Sequence, residues 1–435
     1  MPLANEIAML GPIDTAQQSL RETRPMPPPA SLASRLTGLA LLCCLSPALH
    51  ADEAASPATQ PLIQQGEYLA RAGDCISCHT AANGQPYAGG LRMDTPFGYL
   101  LTPNITPDKA TGIGTWSADD LYRVLHDGVN KHGQYLFPAM PYTSYTKVTR
   151  ADSDALYAYL MSLPPVSNTV QVNHLEFPFN VRLSMLGWNE LFFRKGTFQP
   201  DPKQSAAWNR GAYLVEGLGH CSECHSPRNV LGAVEQKKAF SGAAVDGWFA
   251  LNLTDSLKTG LGSWSIDDIA TYLKTGADKN KSTSLGPMAE VVHNSLGFMT
   301  DADLQAMAVY LKSLPADSRL STQYQPDTTL KAGATLYVDN CSGCHQAQGT
   351  GMPGVFPPLA GNGAVIAAEP NDILKVVLFG IPAQNGYIAM PAFGGQLSDQ
   401  QVADLANYVR NSWGNQASAN ASAADVAALR KMPVE

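Results

Sequence analysis

The amino-acid sequence predicts an all-α fold made of three tandem domains. Its 435 residues exceed what one compact core usually holds, and a prior of about 150 residues per domain gives about three. One Cys-x-x-Cys-His motif occurs three times, each time between a short helical stretch and a later amphipathic helix. Alternating strand patterns and hairpin turns are scarce, which favours helices over sheets.

Each repeat opens with the pattern Gly-x-x-Leu ahead of its first cysteine. The three occurrences are 66–69 before Cys75, 211–214 before Cys221 and 333–336 before Cys341. The matching spacing predicts one structural unit used three times.

Each repeat closes with a predicted amphipathic helix, in which apolar residues recur about every 3.6 positions. Acidic and small residues stand before each helix and can cap its N-terminus. The predicted closing helices are 152–163, 300–314 and 398–413. Tyr159, Tyr310 and Tyr408 occupy matching places near their ends. A core stripe and a cofactor contact both explain these tyrosines, and the sequence leaves the two interpretations open.

The first two repeats share a further segment. Residues 104–117 are echoed by 252–265, and each segment is followed by an acidic pair, Asp119-Asp120 or Asp267-Asp268. Acidic residues in the first turn of a helix interact favourably with the helix dipole. We therefore interpret both acidic pairs as helix-capping residues.

An aromatic linker separates the first two repeats. It runs through 177–182 and 188–193 and carries Phe177, Phe179, Trp188, Phe192 and Phe193. So much aromatic surface must be buried, either between domains or against a partner subunit.

These patterns predict the domain boundaries. The predicted parts are an N-terminal extension and signal peptide at 1–51, domains at 60–170, 206–320 and 326–415, the linker at 171–205 and a tail at 416–435. The tail is rich in Ala and Ser, and both a flexible end and an amphipathic membrane contact fit it.

The N-terminal segment 34–51 predicts secretion. A basic residue, Arg35, precedes an apolar run at 36–45 and small residues near a cleavage site. The run is far shorter than the roughly 20 residues of a membrane-spanning helix, which argues against an anchor. We expect cleavage to remove Cys43 and Cys44 and to leave a periplasmic protein. Met26 competes with Met1 as the true start.

The net charge excludes one function class. A formal charge of −8 and a pI near 5.6 give no clustered basic surface for phosphate groups. Nucleic-acid binding is therefore set aside.

The three motifs predict attachment of haem c. In a helix, positions i, i+3 and i+4 share one face, so two thiols can bond the porphyrin while the histidine meets the iron. Zinc or a thioredoxin-like redox pair would leave the following histidine unexplained. The predicted attachment residues are Cys75, Cys78, Cys221, Cys224, Cys341 and Cys344, and the iron ligands are His79, His225 and His345.

A second iron ligand is expected from methionine, because a His–Met pair suits electron transfer. Met140, Met288 and Met390 occupy corresponding places beside proline, and we expect all three in loops just before the closing helix. Met93, Met161 and Met299 are the competing choices.

Residues 357–361, Pro-Pro-Leu-Ala-Gly, resemble the Pro-x-Leu-x-Gly segment of class I cytochromes c. The resemblance implies that the Pro357 carbonyl accepts a hydrogen bond from His345, and it implies class I cytochrome c domains. The first two repeats lack the segment, which leaves their acceptors open.

Residues 60–415 as a whole resemble the triple-haem cytochrome c subunit of membrane-bound bacterial dehydrogenases for alcohol, gluconate, sorbitol and fructose. The more specific matches are 95–98, 104–108, 135–142, the Trp188 linker, 288–292 and 407–410. One departure is Leu251, where Pro is expected. The resemblance implies three haems c, a flavoprotein or quinoprotein catalytic subunit, ubiquinone as acceptor and peripheral attachment to the cytoplasmic membrane.

Two other functions compete with a non-catalytic electron-transfer subunit. A soluble or oxidase-linked shuttle differs only in its partner. A haem peroxidase-type enzyme needs one exchangeable iron position and acid–base groups, whereas the sequence offers a methionine for every haem.

Overall fold

The computed structural model describes residues 59–171, 173–278, 281–316 and 330–432. The predicted signal segment, Cys43, Cys44 and both candidate start sites lie outside these residues. The described chain is helix-rich, as expected, and short antiparallel strands accompany the helices.

The first repeat begins and ends with a 13-residue helix, and the motif and a hairpin lie between these two helices in the sequence. Its elements are α1 (Gln60–Ala72), α2 (Cys75–Cys78), β1 (Arg92–Thr95), β2 (Gly98–Leu101), α3 (Ala118–Asp127), α4 (Tyr142–Tyr145) and α5 (Arg150–Ser162). Strand β3 (His174–Leu175) of the linker pairs with β2, and β2 pairs with β1. The linker then forms α6 (Ser184–Phe192).

The second repeat follows the same order. Its elements are α7 (Ala206–Tyr213), α8 (Ser222–His225), β4 (Ala243–Val245), β5 (Trp248–Ala250), α9 (Ile266–Thr275), β6 (Ala277–Asp278), β7 (Ser282–Thr283), α10 (Gly286–Asn294) and α11 (Asp301–Lys312). A π turn at Leu214–Leu218 extends α7, and 3-10 turns lie at Gln236–Lys238 and Leu296–Phe298.

The third repeat contains no strand among its described residues. Its elements are α12 (Lys331–Asn340), α13 (Ser342–His345), α14 (Gly363–Ile366), α15 (Asn371–Phe379) and α16 (Asp399–Arg410). The tail forms α17 (Ala423–Leu429), and Val426 and Leu429 are buried in the core of this repeat. The described tail is therefore packed against the third repeat through Val426 and Leu429.

Glycine lets the opening and closing helices of each repeat cross closely. A Cβ atom on Gly66 would lie 1.9 Å from the carbonyl oxygen of Ala155, and one on Gly211 would lie 1.9 Å from that of Ala306. Gly333 meets the carbonyl of Asp404 in the same way, at 2.2 Å. The Gly of the Gly-x-x-Leu pattern is thus a packing position.

Three apolar cores follow the three repeats. The first contains Leu69, Leu156 and Tyr159; the second contains Leu214, Leu304 and Tyr310; the third contains Tyr337, Leu374 and Leu405. Tyr159 and Tyr310 are buried core residues, and Tyr408 packs partly buried against the third core.

Side-chain hydrogen bonds cap the N-termini of several helices, including α3 and α9, which carry the acidic pairs. Ser117, Ser265 and Ser398 each accept a hydrogen bond from the backbone N–H three residues on and complete reciprocal capping boxes. Thr149 and Thr300 cap the other two closing helices. The capping interpretation of Asp119-Asp120 and Asp267-Asp268 is confirmed, since Asp120 and Asp268 are the box partners.

The first two repeats contact each other reciprocally. The Tyr68 hydroxyl donates to Asp303 (2.5 Å), and the Tyr213 hydroxyl donates to Asp152 (2.5 Å). Each tyrosine stands two residues after its crossing glycine, and each aspartate three residues after its capping threonine. The same pair of positions therefore meets twice, as in a two-fold dimer whose halves share one chain.

The linker aromatics are divided between a buried and an exposed side. Met185, Trp188 and Phe193 are buried with Tyr142 of the first repeat and Ala233 of the second. Phe177, Leu183, Leu186 and Leu191 are exposed. Packing between the repeats accounts for the buried side only.

None of the helices in the described ranges is both long enough and apolar enough to span a bilayer.

Candidate haem-attachment sites

The first motif lies where α1 ends. Asp74 adopts a left-handed backbone conformation (φ 48°), which turns the chain sharply into α2 with Cys75 and Cys78. His79 follows directly and is buried. Its Nδ1 donates to the carbonyl oxygen of Pro103 at 2.8 Å.

The second motif repeats this geometry with different neighbours. His220 occupies the place of Asp74 and also has a positive φ (36°). Cys221 precedes α8, which carries Cys224 and His225. Nδ1 of His225 donates to the carbonyl oxygen of Leu251 at 2.6 Å. The Leu251 departure from proline thus leaves the hydrogen bond in place, because a backbone carbonyl does not depend on its side chain.

The third motif ends α12. Cys341 is buried, and Cys344 and His345 lie on α13. Nδ1 of His345 donates to the Pro357 carbonyl at 3.1 Å, so the acceptor implied by the sequence is confirmed. The two acceptors that the sequence left open are Pro103 and Leu251.

These hydrogen bonds fix the state of each imidazole. A carbonyl only accepts, so each Nδ1 carries the proton and each Nε2 keeps a lone pair. Burial lowers the pKa of His79, His225 and His345, and this outweighs the carbonyl bonds that raise it. All three rings are therefore held neutral with Nε2 available, the form in which imidazole binds a metal.

The cysteine thiols lie in low-polarity surroundings. Burial raises the pKa of Cys75 and Cys221 to about 12 and that of Cys341 to about 11. A redox-active cysteine pair has a lowered pKa instead. A pair of cysteine thiols beside a neutral imidazole forms the donor set that a covalently attached haem requires.

Two of the candidate methionines pack against the same core as their motif. Met140 lies in the loop before α4 and packs on the first core with Cys75. Met288 packs on the second core with Cys221. The expected loop position of Met288 is wrong: it lies in the first turn of α10, because Pro287 stands at the start of that helix, where its missing N–H costs nothing.

Met390 lies in extended backbone ahead of α16. It forms an isolated antiparallel bridge with Ile381. The backbone nitrogen of Met390 lies 2.9 Å from the Ile381 oxygen, and the nitrogen of Ile381 lies 3.0 Å from the Met390 oxygen. Of the competing methionines, Met299 fills the second core, Met161 packs on the first core and Met93 lies on β1.

The structure also brings the first two motifs together, which the sequence did not indicate. Asn294 of the second repeat donates its side-chain N–H to Oγ of Ser77, between Cys75 and Cys78, at 2.9 Å. Burial raises the pKa of Cys78 to about 11, with Asp74 and Cys224 adding to the rise. The second repeat therefore contacts the first motif directly, through Asn294.

Two family models match the chain. The model for cytochrome c matches residues 63–164, and the model for cytochrome C oxidase, cbb3-type, subunit III matches residues 328–409. The chain thus contains cytochrome c domains, the class to which covalent haem c belongs.

The similar proteins specify the family. The gluconate 2-dehydrogenase cytochrome c subunit of Pantoea cypripedii is 42% identical over 420 residues, 90% of this chain and 94% of that protein. The cytochrome c subunit of the quinone alcohol dehydrogenase of Gluconobacter oxydans is 41% identical over 410 residues, 88% and 84% of the two chains. The chain belongs to this family of dehydrogenase cytochrome c subunits, and the predicted resemblance is confirmed.

A longer protein contains a similar region. A subunit of the nicotinate dehydrogenase of Pseudomonas putida is 44% identical over 361 residues, which are 80% of this chain. The chain spans 30% of the length of that protein.

Proposed function

We propose that this chain is the electron-transfer subunit of a periplasmic dehydrogenase complex, carries three haems c and passes electrons to membrane ubiquinone. The observation that carries the proposal is the threefold arrangement of a histidine, hydrogen-bonded through Nδ1 to a backbone carbonyl, beside a pair of cysteines. Family membership gives the electron-transfer role, and the haem count rests on the three motifs.

The proposal assigns each haem to one repeat. Three tandem class I cytochrome c domains, at 60–170, 206–320 and 326–415, would hold them, joined by the linker at 171–205 and followed by the tail at 416–435. Thioether bonds would form at Cys75 and Cys78, Cys221 and Cys224, and Cys341 and Cys344. The axial ligands would be His79 with Met140, His225 with Met288, and His345 with Met390.

Haem supplies an iron that takes up and gives back one electron. The chain's part is positioning: the carbonyls of Pro103, Leu251 and Pro357 orient the imidazoles, and the first cysteine of each motif packs against an apolar core. A site of low polarity that is already organised changes little when the charge of the iron changes, so electron transfer needs little rearrangement.

A catalytic subunit would deliver the electrons. The similar proteins are named as subunits of gluconate 2-dehydrogenase, quinone alcohol dehydrogenase and nicotinate dehydrogenase. We extend that role here to a flavoprotein or quinoprotein dehydrogenase, with no substrate chemistry on this chain. Export after cleavage of the segment at 34–51, followed by peripheral attachment to the cytoplasmic membrane, completes the proposal.

An oxidase-linked shuttle is the second candidate, because the cbb3-type oxidase subunit III model matches the third repeat. Copurification from the native host separates the two. A dehydrogenase whose substrate reduces the haems supports the proposal, whereas a terminal oxidase as the stable partner supports the shuttle. Isolation without either partner, with haems that no dehydrogenase substrate reduces in the membrane fraction, contradicts the proposed subunit role.

A further inference from the structure

Residues 381–390 of the third repeat form a narrow two-stranded ribbon. Near its tip, the backbones of Gln384 and Tyr387 bond each other in both directions, at 3.1 and 2.8 Å. Asn385 and Gly386 form the tip itself, and both have a positive φ (53° and 83°). An Asn-Gly pair in this conformation is the preferred turn of a two-residue hairpin. The tip is therefore a defined turn that fixes where the Asn385 side chain begins.

The tip of the ribbon lies against the second repeat. Nδ2 of Asn385 lies 3.2 Å from the carbonyl oxygen of Gly276. It also lies 3.2 Å from Oγ1 of Thr283 and 3.0 Å from Oγ of Ser284. Gln384 adds another bond, because its Nε2 donates to the carbonyl oxygen of Ser284 at 3.0 Å. Two side-chain amides of the third repeat thus hold one loop of the second repeat.

The second repeat has a close-fitting seat for Asn385. Gly276 ends α9 with a positive φ (75°), and a Cβ atom on it would lie 2.8 Å from Nδ2 of Asn385. Thr283 and Ser284 are buried, so water does not readily replace a lost partner of their hydroxyl groups. A buried polar group without a partner is costly. The bonds to Asn385 therefore contribute to the conformation of this loop.

The loop that Asn385 holds leads directly to Met288, because Ser284 stands four residues before it. Gly286 lies between them and has a positive φ (45°). A Cβ atom on Gly286 would lie 2.4 Å from Nε1 of Trp248, so the indole ring lies directly on the Gly286 backbone. Asn385 and Trp248 thus contact the two ends of the short segment that precedes Met288.

The third repeat also supports the Trp248 contact. Nζ of Lys375 lies 4.4 Å from the centre of the Trp248 ring, a cation–π contact. The same Nζ donates to the carbonyl oxygen of Asp246 at 3.2 Å, and Lys375 is buried. The third repeat therefore reaches the segment before Met288 in two places, through Asn385 directly and through Lys375 by way of Trp248.

We infer that Asn385 is a positioning residue for the second haem, which holds the Met288 segment in place from the third repeat. The inference rests on the proposed function, which assigns Met288 to the iron of that haem. A methionine side chain has three rotatable bonds and adapts easily, so its place depends on the backbone that carries it. Ligation in the second repeat is thus completed by a contact from the third.

The test titrates the oxidised full-length holoprotein with imidazole, which occupies the iron when the methionine leaves it. The affinity for imidazole rises with the fraction of molecules whose methionine is off the iron. Visible spectroscopy follows the absorption band of Met–iron ligation and counts how many haems bind imidazole at each concentration.

Asn385→Gly removes the side chain and keeps the turn, because glycine adopts a positive φ freely. We expect one haem of this variant to bind imidazole at least about ten-fold more tightly than in the wild type. Ser284→Ala removes a partner of Asn385 from the second repeat, should act in the same direction, and replaces Asn385→Gly if that variant does not fold. Asn83→Gly is the matched control: Asn83 is exposed, has a positive φ (60°) and precedes a glycine, so all three affinities should stay unchanged.

The double variant Met288→Ala/Asn385→Gly identifies the haem on which Asn385 acts. Met288→Ala alone should already leave the second haem open to imidazole, so adding Asn385→Gly should change no further haem. If Asn385→Gly adds as many tightly binding haems to Met288→Ala as it adds to the wild type, it acts on a haem other than the second. That result overturns the inference.

The outcomes distinguish this inference from the function on which it rests. Asn385→Gly that binds imidazole like the wild type, while Met288→Ala exposes one haem, overturns the role of Asn385 alone. Met288→Ala that keeps every Met–iron band overturns the ligand assignment of the proposed function, and this inference with it.

Discussion

Backbone carbonyls hold the three motif histidines, and the Cys-x-x-Cys-His pattern itself does not say which carbonyls they are. His345 could be matched to Pro357 from the sequence because a short Pro-x-Leu-x-Gly segment marks the acceptor. The acceptors for His79 and His225 could not be predicted, since every residue offers a carbonyl and only the folded loop selects one. Leu251 shows the consequence, because its side chain differs from the proline of the first repeat while its carbonyl makes the same bond.

The methionine ligands are testable one residue at a time. We expect each of Met140→Ala, Met288→Ala and Met390→Ala to abolish the absorption band of Met–iron ligation in one haem of three, because Ala offers no thioether. Visible spectroscopy of the oxidised holoprotein measures this. Met161→Ala removes a methionine that packs on the first core and should keep all three ligand signatures. An unaltered spectrum in one of the first three variants rejects that ligand.

Asp372 gives a prediction about pH. It lies at the contact between the second and third repeats, where it accepts the backbone N–H of Phe249 at 2.8 Å, and burial raises its pKa to about 7. Between about pH 4 and pH 7 the unfolded chain releases this proton and the folded chain keeps it. Stability attributable to Asp372 is therefore lost as pH rises through that window and is constant above it.

Asp372→Asn should remove this loss and keep an acceptor for Phe249. We expect the variant to unfold at higher denaturant than the wild type at pH 8, with a gain of up to about 4 kcal/mol. The gain should shrink towards pH 4. Urea unfolding followed by circular dichroism at several pH values measures it, with exposed Asp119→Asn as control. A gain that does not change with pH would contradict the assignment to Asp372.

At the scale of elements, the repeat pattern predicted the positions of the closing helices but not the short hairpins. The closing helices begin within two residues of the predicted starts, because their capping residues are local in sequence. The short hairpins β1–β2 and β4–β5 were not predicted, since strands of three or four residues show too little alternation to be recognised. Met288 was misplaced for a related reason: Pro287 indicates a loop and a helix start equally well.

The glycine crossings can be tested by adding one methyl group. We expect Gly211→Ala to destabilise the protein by about 1–3 kcal/mol or more, because its Cβ would meet the Ala306 carbonyl and the helices α7 and α11 would have to separate. Denaturant unfolding measures the change. Gly187→Ala in α6 is the matched control, as its Cβ meets nothing within 4 Å, and helix propensity alone should stabilise it slightly. Equal stability of Gly211→Ala and the wild type would refute the close crossing.

The reciprocal tyrosines give a prediction about the contact between repeats. Tyr68→Phe and Tyr213→Phe each remove one hydroxyl bonded to an aspartate of the other repeat, so each should cost about 1–3 kcal/mol of unfolding free energy. The third repeat has Thr335 at this place. Tyr122→Phe, outside this contact, should cost less. If Tyr68→Phe and Tyr213→Phe unfold like Tyr122→Phe, the two bonds do not join the repeats.

At the scale of the whole molecule, the sequence established the repeat and its chemistry but not how the repeats assemble. Cys-x-x-Cys-His is a local pattern, so the motif positions were readable directly. Three contacts depend on residues far apart in the chain: the bond of Asn294 to Ser77, the burial of Trp188 between two repeats and the packing of α17 on the third core. A single sequence records no such pairing.

The mass of the intact mature protein tests the central claim most directly. The protein is expressed with its export segment in a bacterium that attaches haem c and is then analysed by denaturing mass spectrometry, which retains only covalent groups. The account predicts the mass of the processed polypeptide plus three haems. A mass equal to the bare polypeptide would contradict it.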